Sequence, residues 1–381
     1  MPDLLSYVVD LRRRWLPPWL LENCLYSTVE LHPVIHTSRR EADMKKNKNV
    51  LVLSPLPEAV IQALLGSRVK GNELEDVHIV SYQGASKEEL IKAVSDAHVI
   101  IGDYTNNIAM DAEVMRAARY CVFIQQPSTG FQHIDVDEAA KEGIAVANVA
   151  GANTFAVAEH AIMLILACLK KLALAHEKTK RGEWAQDEMS IHGVFELFGR
   201  TLGIVGIGRI GKEVAKRASP FGPRLIYYDV NRLLPKEEEE LGVTYRSLDE
   251  LIAESDVITV HVPLAPQTEN MISADRIARM KHNAVVINVS RGAIVDEAAL
   301  AQALKDKRLQ GVGLDVFSTE PISAENPILN APNVILTPHI AGATNESRVR
   351  IIDLTIDNVV RVLKGQEPVN IVNGVEPRIS R

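Results

Sequence analysis

Short apolar runs alternate twice with segments of helical spacing along this chain, and no other sequence feature constrains the fold as strongly. From residue 50 to about residue 149, runs of strand length are separated by amphipathic segments with charged outer faces. A second set with the same organisation begins at about Thr201. Alternation of this kind predicts parallel sheets covered by helices on both faces, and 381 residues are enough for two such domains.

The two sets predict the following elements. Strands are predicted at 50–54, 77–82, 98–102, 121–125 and 144–149 in the first set, and at 201–206, 224–229, 243–246, 257–263, 284–290, 311–317 and 333–339 in the second. Helices are predicted at 57–66, 87–96, 111–120, 209–221, 248–255, 297–309 and 345–365. The stretch 154–184 has no Gly or Pro before Gly182, which predicts one long, mostly buried helix that connects the two domains.

The order of these elements predicts an α/β fold of two Rossmann-like, doubly wound domains, one inserted into the other. Residues 44–153 and 343–381 are predicted to form the first domain, because the last helix follows the second set and can pack back onto the first. Residues 154–342 are predicted to form the second. Residues 1–43 are predicted to be an extension outside the core, since Met44 opens a run that resembles an ordinary cytosolic start.

The composition excludes several classes of protein. A net charge of −7 without a basic stripe argues against a nucleic-acid partner, and no apolar run is long enough for a transmembrane helix. The three cysteines Cys24, Cys121 and Cys168 lie far apart, without metal-ligand spacing. We therefore predict no metal site, no structural disulfide and a reducing, cytoplasmic location, with Cys121 and Cys168 as small buried apolar residues.

A glycine-rich loop follows the first strand of the second set. Gly206, Gly208 and Gly211 form G-x-G-x-x-G between a strand and an amphipathic helix, where glycines allow a sharp turn and close approach to a pyrophosphate. Asp229 ends the next strand, eighteen residues past Gly211, at the place of an acid that binds ribose hydroxyls. The loop therefore predicts NAD (NADH) as cofactor, while Arg232 weakens the preference over NADP.

Three charged residues follow later strands of the second set. Arg291, Glu320 and His339 are expected at one crevice, because ligands bind beyond the carboxyl ends of parallel strands. Individually each has a simpler explanation: Arg291 held by Asp296, Glu320 opening a turn, and His339 as an interior histidine. Together they suit the reduction of a 2-oxo acid. An arginine can bind a carboxylate through two hydrogen bonds, and a histidine oriented by an acid can donate a proton to the carbonyl oxygen.

The sequence resembles the D-isomer-specific 2-hydroxyacid dehydrogenases in GIVGIGRIGKEVAKRASPFG, VITVHVPLAPQT, AVVINVSRGAIVDEAAL, GLDVFSTEP and ILTPHIAGAT, from about Val50 to Gly374. The resemblance implies a homodimer whose active site lies between a substrate domain and an inserted NAD-binding domain. It implies catalytic roles for Arg291, Glu320 and His339, with Arg291 also binding substrate. It further implies cofactor contacts by Arg209, Ile210, Asp229, Pro263, Thr268, Val289 and Asp315, and substrate-carboxylate binding by Thr129 and Gly130. His261 is left as a structural residue.

Departures from the family pattern narrow the substrate. Phosphoglycerate dehydrogenases carry arginines where this chain has Gln126 and near Asp103 and Tyr104, and the chain ends soon after its last helix without a regulatory domain. Formate dehydrogenases place a glutamine at the position of Glu320. A small unphosphorylated 2-oxo acid is therefore predicted: glyoxylate, hydroxypyruvate, pyruvate or a branched-chain relative. Two alternatives stay open. One is a phosphoglycerate dehydrogenase-like enzyme that uses Lys178, Lys180 and Arg181, and the other is an NAD(H)-sensing protein like the transcriptional corepressors of the superfamily.

Overall fold

A computed structural model describes residues 48–69, 76–191 and 193–377, so the predicted 1–43 extension and Cys24 lie outside the described part of the chain. The chain divides into two compact units. The first unit comprises Met1–Ala152 and Arg348–Arg381, and the second unit is Asn153–Ser347. The sequence predicts boundaries after residues 153 and 342, whereas the observed division lies after Ala152 and Ser347.

The first unit contains a five-stranded parallel sheet in the order β2-β1-β3-β4-β5. Its strands are β1 (Lys48–Val52), β2 (Val77–Ser81), β3 (Val99–Ile101), β4 (Phe123–Gln125) and β5 (Ala145–Ala147). Its helices are α1 (Glu58–Gly66), α2 (Lys87–Val94), α3 (Ala112–Ala117) and α4 (Val136–Lys141). Ser86 begins α2 with a capping box, because its hydroxyl accepts from Glu89 N–H while the Glu89 carboxylate accepts from Ser86 N–H.

The second unit contains a seven-stranded parallel sheet in the order β12-β11-β10-β9-β6-β7-β8. Its strands are β6 (Thr201–Val205), β7 (Arg224–Tyr228), β8 (Val243–Tyr245), β9 (Val257–Val260), β10 (Ala284–Asn288), β11 (Leu309–Leu314) and β12 (Val334–Leu336). Its helices are α5 (Thr154–Leu169), α6 (Leu172–Lys180), α7 (Gln186–Ile191), α8 (Arg209–Ala218), α9 (Pro235–Leu241), α10 (Leu248–Glu254), α11 (Ala274–Arg279) and α12 (Glu297–Lys305). The last helix, α13 (Asn345–Leu363), begins in the second unit and continues in the first.

Helices cover both faces of each sheet, which confirms the predicted fold class. Residues of β10 divide between the two cores of the second unit: Val286 packs on one face, and Val285 and Ile287 pack on the other. A strand buried on both faces is apolar along its whole length, which explains the uninterrupted runs in the sequence. In the first unit, Ile356 and Val359 of α13 pack in the same core as β1 and β3.

The predicted single helix over 154–184 is wrong. α5 ends at Leu169 and α6 begins at Leu172, because Lys171 adopts a left-handed conformation with φ 49°. A break here does not require glycine, and it separates a helix with many buried residues from one whose residues are all partly or fully exposed. The short helices α4, α7, α9 and α11 were also not predicted, since one or two turns carry too few residues to establish a period.

Cys121 and Cys168 are buried, as predicted. Both are free thiols, and burial raises the pKa of each to about 12. Across the described ranges, no helix is both long and apolar enough to cross a membrane. Within the same residues, no group of three or more His, Cys, Asp or Glu side chains is arranged to hold a metal ion.

Candidate active site

The loop after β10 carries Arg291 at the carboxyl end of the sheet. Asn288, the last residue of β10, holds this loop from both ends: its side-chain oxygen accepts from Ser290 N–H at 3.0 Å and its amide donates to the Arg291 carbonyl at 2.9 Å. The Ser290 hydroxyl donates to the Val262 carbonyl in the loop after β9. The backbone at Arg291 is therefore fixed by the side chains of Asn288 and Ser290.

The Arg291 guanidinium is largely buried, and burial lowers its pKa while the nearby Glu320 carboxylate opposes that shift. Among the described residues its one hydrogen bond goes from Nη1 to the Ser290 carbonyl, at 2.7 Å. Asp296 does not hold it, because the Asp296 carboxylate accepts from Ala299 N–H and caps α12 instead. A guanidinium has five N–H donors, so Arg291 keeps donors for an anionic ligand.

Gly292, next to Arg291, lies directly against the loop that carries Glu320. A Cβ at Gly292 would lie 1.8 Å from the Phe317 carbonyl carbon and 2.1 Å from the Ser318 nitrogen, so any side chain would separate the two loops. The sequence pattern did not reveal this role, because Gly292 has no positive φ and its neighbour is distant in sequence.

Glu320 and His339 form a direct pair. The His339 Nδ1 lies 2.7 Å from the Glu320 Oε2, and the Glu320 Oε1 accepts from Phe317 N–H at 2.9 Å. This pairing places the proton on Nδ1 and leaves Nε2 as the free edge of a ring that is 48% exposed. His339 has φ 53°, an uncommon conformation for a residue with a side chain, so its backbone must be held by its surroundings.

Asp315 holds the loop that carries His339. Its buried carboxylate accepts hydrogen bonds from Thr337 Oγ1 at 2.6 Å, Ile340 N at 2.9 Å and Ala341 N at 2.8 Å, and its carbonyl accepts from His339 N at 2.8 Å. The Thr337 hydroxyl in turn lies 2.9 Å from Nε2 of His160. Asp315 therefore hydrogen-bonds residues on both sides of His339. The family resemblance also predicts that Asp315 contacts the cofactor.

The three glycines of the loop after β6 are required for different reasons. A Cβ at Gly206, which has φ 95°, would lie 2.8 Å from the His261 carbonyl carbon, and one at Gly211 would lie 2.1 Å from the Gly206 oxygen. The protein's own packing therefore excludes side chains at both positions. At Gly208 nothing lies within 4 Å and φ is an ordinary −66°. Packing does not explain this glycine, whereas close approach of a pyrophosphate does.

The cofactor residues predicted around this loop lie as follows. Gly208 is the N-cap of α8 and provides no side-chain cap, so the N-terminus of this helix, which begins at Arg209 and Ile210, is the end suited to phosphate oxygens. Arg209 is exposed, Val289 is buried at the end of β10, and the Thr268 hydroxyl donates to the Pro263 carbonyl at 2.6 Å. The Asp229 carboxylate accepts from Ile207 N–H at 2.9 Å, which joins it to the glycine loop. These residues fit a dinucleotide.

The predicted carboxylate-binding loop belongs to the first unit, whereas every other predicted site residue belongs to the second. The Asn148 amide donates to the Thr129 carbonyl at 2.8 Å, and the Ser128 hydroxyl donates to the Gly130 carbonyl at 2.7 Å. Buried Gln126 supports this loop, since its amide donates to the Asp103 carbonyl at 2.9 Å and lies 2.8 Å from the Ser128 hydroxyl.

The cations considered for a phosphorylated substrate are paired with acids on α6 and just beyond it. Lys178 lies 2.8 Å from Glu188 and 3.4 Å from Glu183, Arg181 lies 2.8 Å from Glu183, and Lys180 lies 3.9 Å from Glu177. Lys180 and Arg181 are therefore exposed, ion-paired surface residues, and Lys178 is a partly buried one.

One buried carboxylate near the site was not predicted. Glu297 opens α12 and is 7% exposed; its Oε1 accepts from Ser318 N–H at 2.5 Å and its Oε2 accepts from the Asn326 amide. These bonds fasten both ends of the loop that contains Glu320. The sequence carried no clear signal of this role, because an acid in the first turn of a helix is common.

His261 lies at the end of β9 beside Gly206, and its surroundings keep it neutral. Its Nε2 lies 2.8 Å from the Thr259 Oγ1, its Nδ1 is buried without a partner among the described residues, and burial lowers its pKa to about 3. Because the folded pKa lies below the ordinary value of 6.5, the stability that neutral His261 contributes is complete above pH 6.5 and is lost as the pH falls towards 3.

We therefore expect thermal unfolding midpoints to fall between about pH 7 and about pH 5.5, with up to about 1.4 kcal/mol per pH unit lost through His261. His261→Gln cannot take up this proton and should show a shallower fall. The matched control is His176→Gln at an exposed histidine, which should follow the wild type. Equal pH dependence in wild type and His261→Gln would contradict the prediction.

The chain matches the family model for the NAD binding domain of D-isomer specific 2-hydroxyacid dehydrogenases over residues 162–341. A glyoxylate reductase of Korarchaeum cryptofilum is 41% identical over 290 residues, which cover 76% of this chain and 86% of that protein. A D-3-phosphoglycerate dehydrogenase of Archaeoglobus fulgidus is 38% identical over 331 residues, but this match covers only 60% of that longer protein and 86% of this chain.

Among solved structures, a glyoxylate reductase from Paecilomyes thermophila superposes with a TM-score of 0.75 at 30% sequence identity. That match covers 86% of this chain and 98% of the other. Similarity therefore extends through both units and well beyond the glycine loop.

Proposed function

This chain belongs to the D-isomer specific 2-hydroxyacid dehydrogenases, a family of NAD-dependent oxidoreductases, and from that premise we propose that it reduces a small, unphosphorylated 2-oxo acid to the D-2-hydroxy acid. The names of its relatives favour glyoxylate or hydroxypyruvate, since glyoxylate and hydroxypyruvate reductases are among them. The reaction is reversible, and the same groups act in both directions.

We propose that Arg291 binds the substrate carboxylate and polarises the adjacent carbonyl with the donors that its protein contacts leave free. When bound, NADH supplies the hydride to the carbonyl carbon. His339, as imidazolium, gives the proton on its exposed Nε2 to the carbonyl oxygen and becomes neutral. Glu320 accepts from Nδ1, so it fixes the tautomer and the orientation of the ring. The roles of Thr129 and Gly130 stay predictions.

One observation on the first unit supports the proposal that the substrate is unphosphorylated. The loops that follow its five strands, residues 53–57, 82–86, 102–111, 126–135 and 148–152, contain no lysine or arginine. Ligands of parallel sheets bind beyond these strand ends, and phosphate groups are normally met there by cations or helix N-termini. The arginine-poor loops therefore support a substrate whose only anionic group is its carboxylate.

A panel of 2-oxo acids tests this proposal. The purified protein should oxidise NADH with glyoxylate or hydroxypyruvate, with pyruvate and 2-oxoisocaproate as bulkier members of the panel and 3-phosphohydroxypyruvate as the phosphorylated one. We expect kcat/KM for the best unphosphorylated acid to exceed that for 3-phosphohydroxypyruvate by at least about 10²-fold, the discrimination typical of a site that lacks a partner for a buried charge. Chiral analysis of the product gives its configuration.

Two other outcomes identify the alternatives. Two archaeal relatives are named D-3-phosphoglycerate dehydrogenase, and an enzyme of that kind would prefer 3-phosphohydroxypyruvate. An NAD(H)-sensing protein would bind NADH and turn over none of the acids. Either result would replace the proposed substrate class while leaving the family assignment in place.

We propose that the protein is a homodimer that functions in the cytoplasm. Large exposed apolar side chains are frequent between residues 155 and 221, and Trp184, Ile191 and Phe198 are more than two-thirds exposed. Such residues are enriched in protein–protein interfaces. Sedimentation velocity should show a dimer, and Ile191→Glu should shift it towards monomer, while Thr179→Glu on exposed α6 serves as control. A monomeric wild type would contradict this proposal.

A further inference from the structure

The residues that follow β7 include both an acid and a cation suited to a nucleotide ribose. In dinucleotide folds, an acid at the end of this strand accepts hydrogen bonds from the ribose hydroxyls of NAD, whereas a nearby arginine accommodates the 2′-phosphate of NADP. This chain has Asp229 and, three residues later, Arg232. The side chain that faces the ribose should therefore decide the cofactor.

Asp229 is positioned for ribose hydroxyls. Its Oδ2 accepts from Ile207 N–H at 2.9 Å and its Oδ1 accepts from Asn231 N–H at 2.9 Å. Each carboxylate oxygen can accept a second hydrogen bond, so the acid is fixed and still has acceptor capacity. A 2′-phosphate at the same place would meet this negative charge.

Arg232 is engaged on two sides by other groups. Its Nε and Nη2 donate to the two carboxylate oxygens of Glu238 on α9, at 2.9 and 3.1 Å. Its guanidinium carbon also lies 5.2 Å from the centre of the Tyr245 ring. A planar, bidentate pair combined with an aromatic contact uses both the edge and the face of a guanidinium. Arg232 is thereby held against α9.

Glu238 is itself fixed by a buried tyrosine. The Tyr227 hydroxyl donates to Glu238 Oε1 at 2.7 Å and accepts from Leu233 N–H at 2.9 Å. Tyr227 is fully buried, and burial followed by the Glu238 contact raises its pKa to about 12, so the hydroxyl keeps its proton. Arg232 and then Tyr227 lower the pKa of Glu238, so the carboxylate remains charged and anchored.

We propose that Glu238 determines cofactor preference by holding Arg232 away from the role of a phosphate anchor, so that Asp229 meets the ribose alone and NAD is favoured over NADP. The inference rests on the proposed function, which places the adenosine of the cofactor at Asp229. Release of Arg232 should provide a cation for a 2′-phosphate without altering the glycine loop. Glu238 is assigned the role of a positioning residue, which acts on cofactor specificity through Arg232.

Nucleotide fragments test the inference without turnover. Isothermal titration calorimetry would compare 5′-AMP, which has free ribose hydroxyls, with 2′,5′-ADP, which carries the 2′-phosphate. In Glu238→Gln, which retains an acceptor for Tyr227, we expect the affinity for 2′,5′-ADP to rise on the order of 10-fold, as expected for one new charge-assisted contact. The affinity for 5′-AMP should stay within about twofold of wild type.

Matched variants separate release of Arg232 from a general charge effect. Glu239→Gln removes the same charge from the next, exposed position of α9 and should leave 2′,5′-ADP binding unchanged. Arg232→Ala should have no effect in the wild-type background and should abolish the gain in the Glu238→Gln background. The single variant Arg232→Ala leaves Glu238 unchanged, so its 2′,5′-ADP affinity remains informative even if the Glu238 variants fold poorly.

Three results would overturn the inference. They are an unchanged 2′,5′-ADP affinity in Glu238→Gln, a gain that survives Arg232→Ala, and weaker 2′,5′-ADP binding in the single variant Arg232→Ala. All three leave 5′-AMP binding intact and so leave the proposed function standing. If wild-type protein fails to bind 5′-AMP, the placement of the adenosine at Asp229 fails together with the inference.

Discussion

Replacing His339 with asparagine is expected to lower kcat by about 10²–10⁴-fold, the contribution typical of a positioned general acid. Asparagine is the informative replacement because His339 has φ 53°, a conformation that asparagine adopts more readily than alanine. The loop should therefore keep its hydrogen bonds to Asp315 while the proton donor is lost. Steady-state NADH oxidation measures kcat, and quenching of protein fluorescence by NADH measures cofactor binding.

Glu320→Gln is the matched control for this result. It keeps an acceptor near Nδ1 of His339 but replaces a charge-assisted hydrogen bond with a neutral one. We therefore expect kcat to fall by less than in His339→Asn, because the proton donor on Nε2 is still present. A His339→Asn variant with kcat within about tenfold of wild type and normal NADH binding would refute the assigned acid.

Replacing Arg291 with alanine is expected to lower kcat/KM for the 2-oxo acid by on the order of 10²- to 10⁴-fold, since two hydrogen bonds between charged groups are lost. Most of the loss should appear in KM for the acid, with an additional fall in kcat because the carbonyl is no longer polarised. The KM for NADH should change little. Steady-state kinetics with each substrate varied in turn distinguish these effects.

Arg291→Lys tests whether the shape of the guanidinium matters in addition to its charge. Lysine keeps a cation but cannot form the planar two-point contact, so its kcat/KM should lie between those of alanine and wild type. Arg308→Ala, on an arginine whose donors serve the carbonyls of Ala278 and Met280, provides a control for loss of one positive charge. Equal KM values for the acid in Arg291→Ala and wild type would exclude carboxylate binding by Arg291.

The sequence was sufficient for features that depend on short-range patterns. Apolar runs predicted the twelve parallel strands of the described residues, most clearly central strands such as β6 and β10, which are buried on both faces and need apolar residues throughout. The glycine loop and the charged residues beyond strand ends could be placed together, since parallel strands bring their carboxyl ends to one edge. The Glu320–His339 contact is consistent with that expectation, although the two residues are nineteen positions apart.

Features that depend on three-dimensional contacts were not predictable. The break at Lys171 replaces an expected continuous helix, because a lysine in the left-handed conformation leaves no mark in hydrophobic spacing. Gly292 is required because a side chain there would collide with the backbone of Ser318. Glu297 holds the same loop because its carboxylate accepts hydrogen bonds from Ser318 and Asn326. Arg232 was considered as a cation near the ribose, but only the structure reveals its pairing with Glu238.

The two units contain different kinds of predicted site residues, and this affects how the substrate range of the protein can change. The glycine loop, Asp229, Arg291, Glu320 and His339 all belong to Asn153–Ser347, whereas the arginine-poor loops after β1 to β5 belong to the other unit. Mutations confined to those loops leave the residues proposed for proton transfer and cofactor binding unchanged. Under the proposed function, residues 102–111 and 126–135 are therefore the positions to vary in a directed-evolution library that seeks a new substrate range.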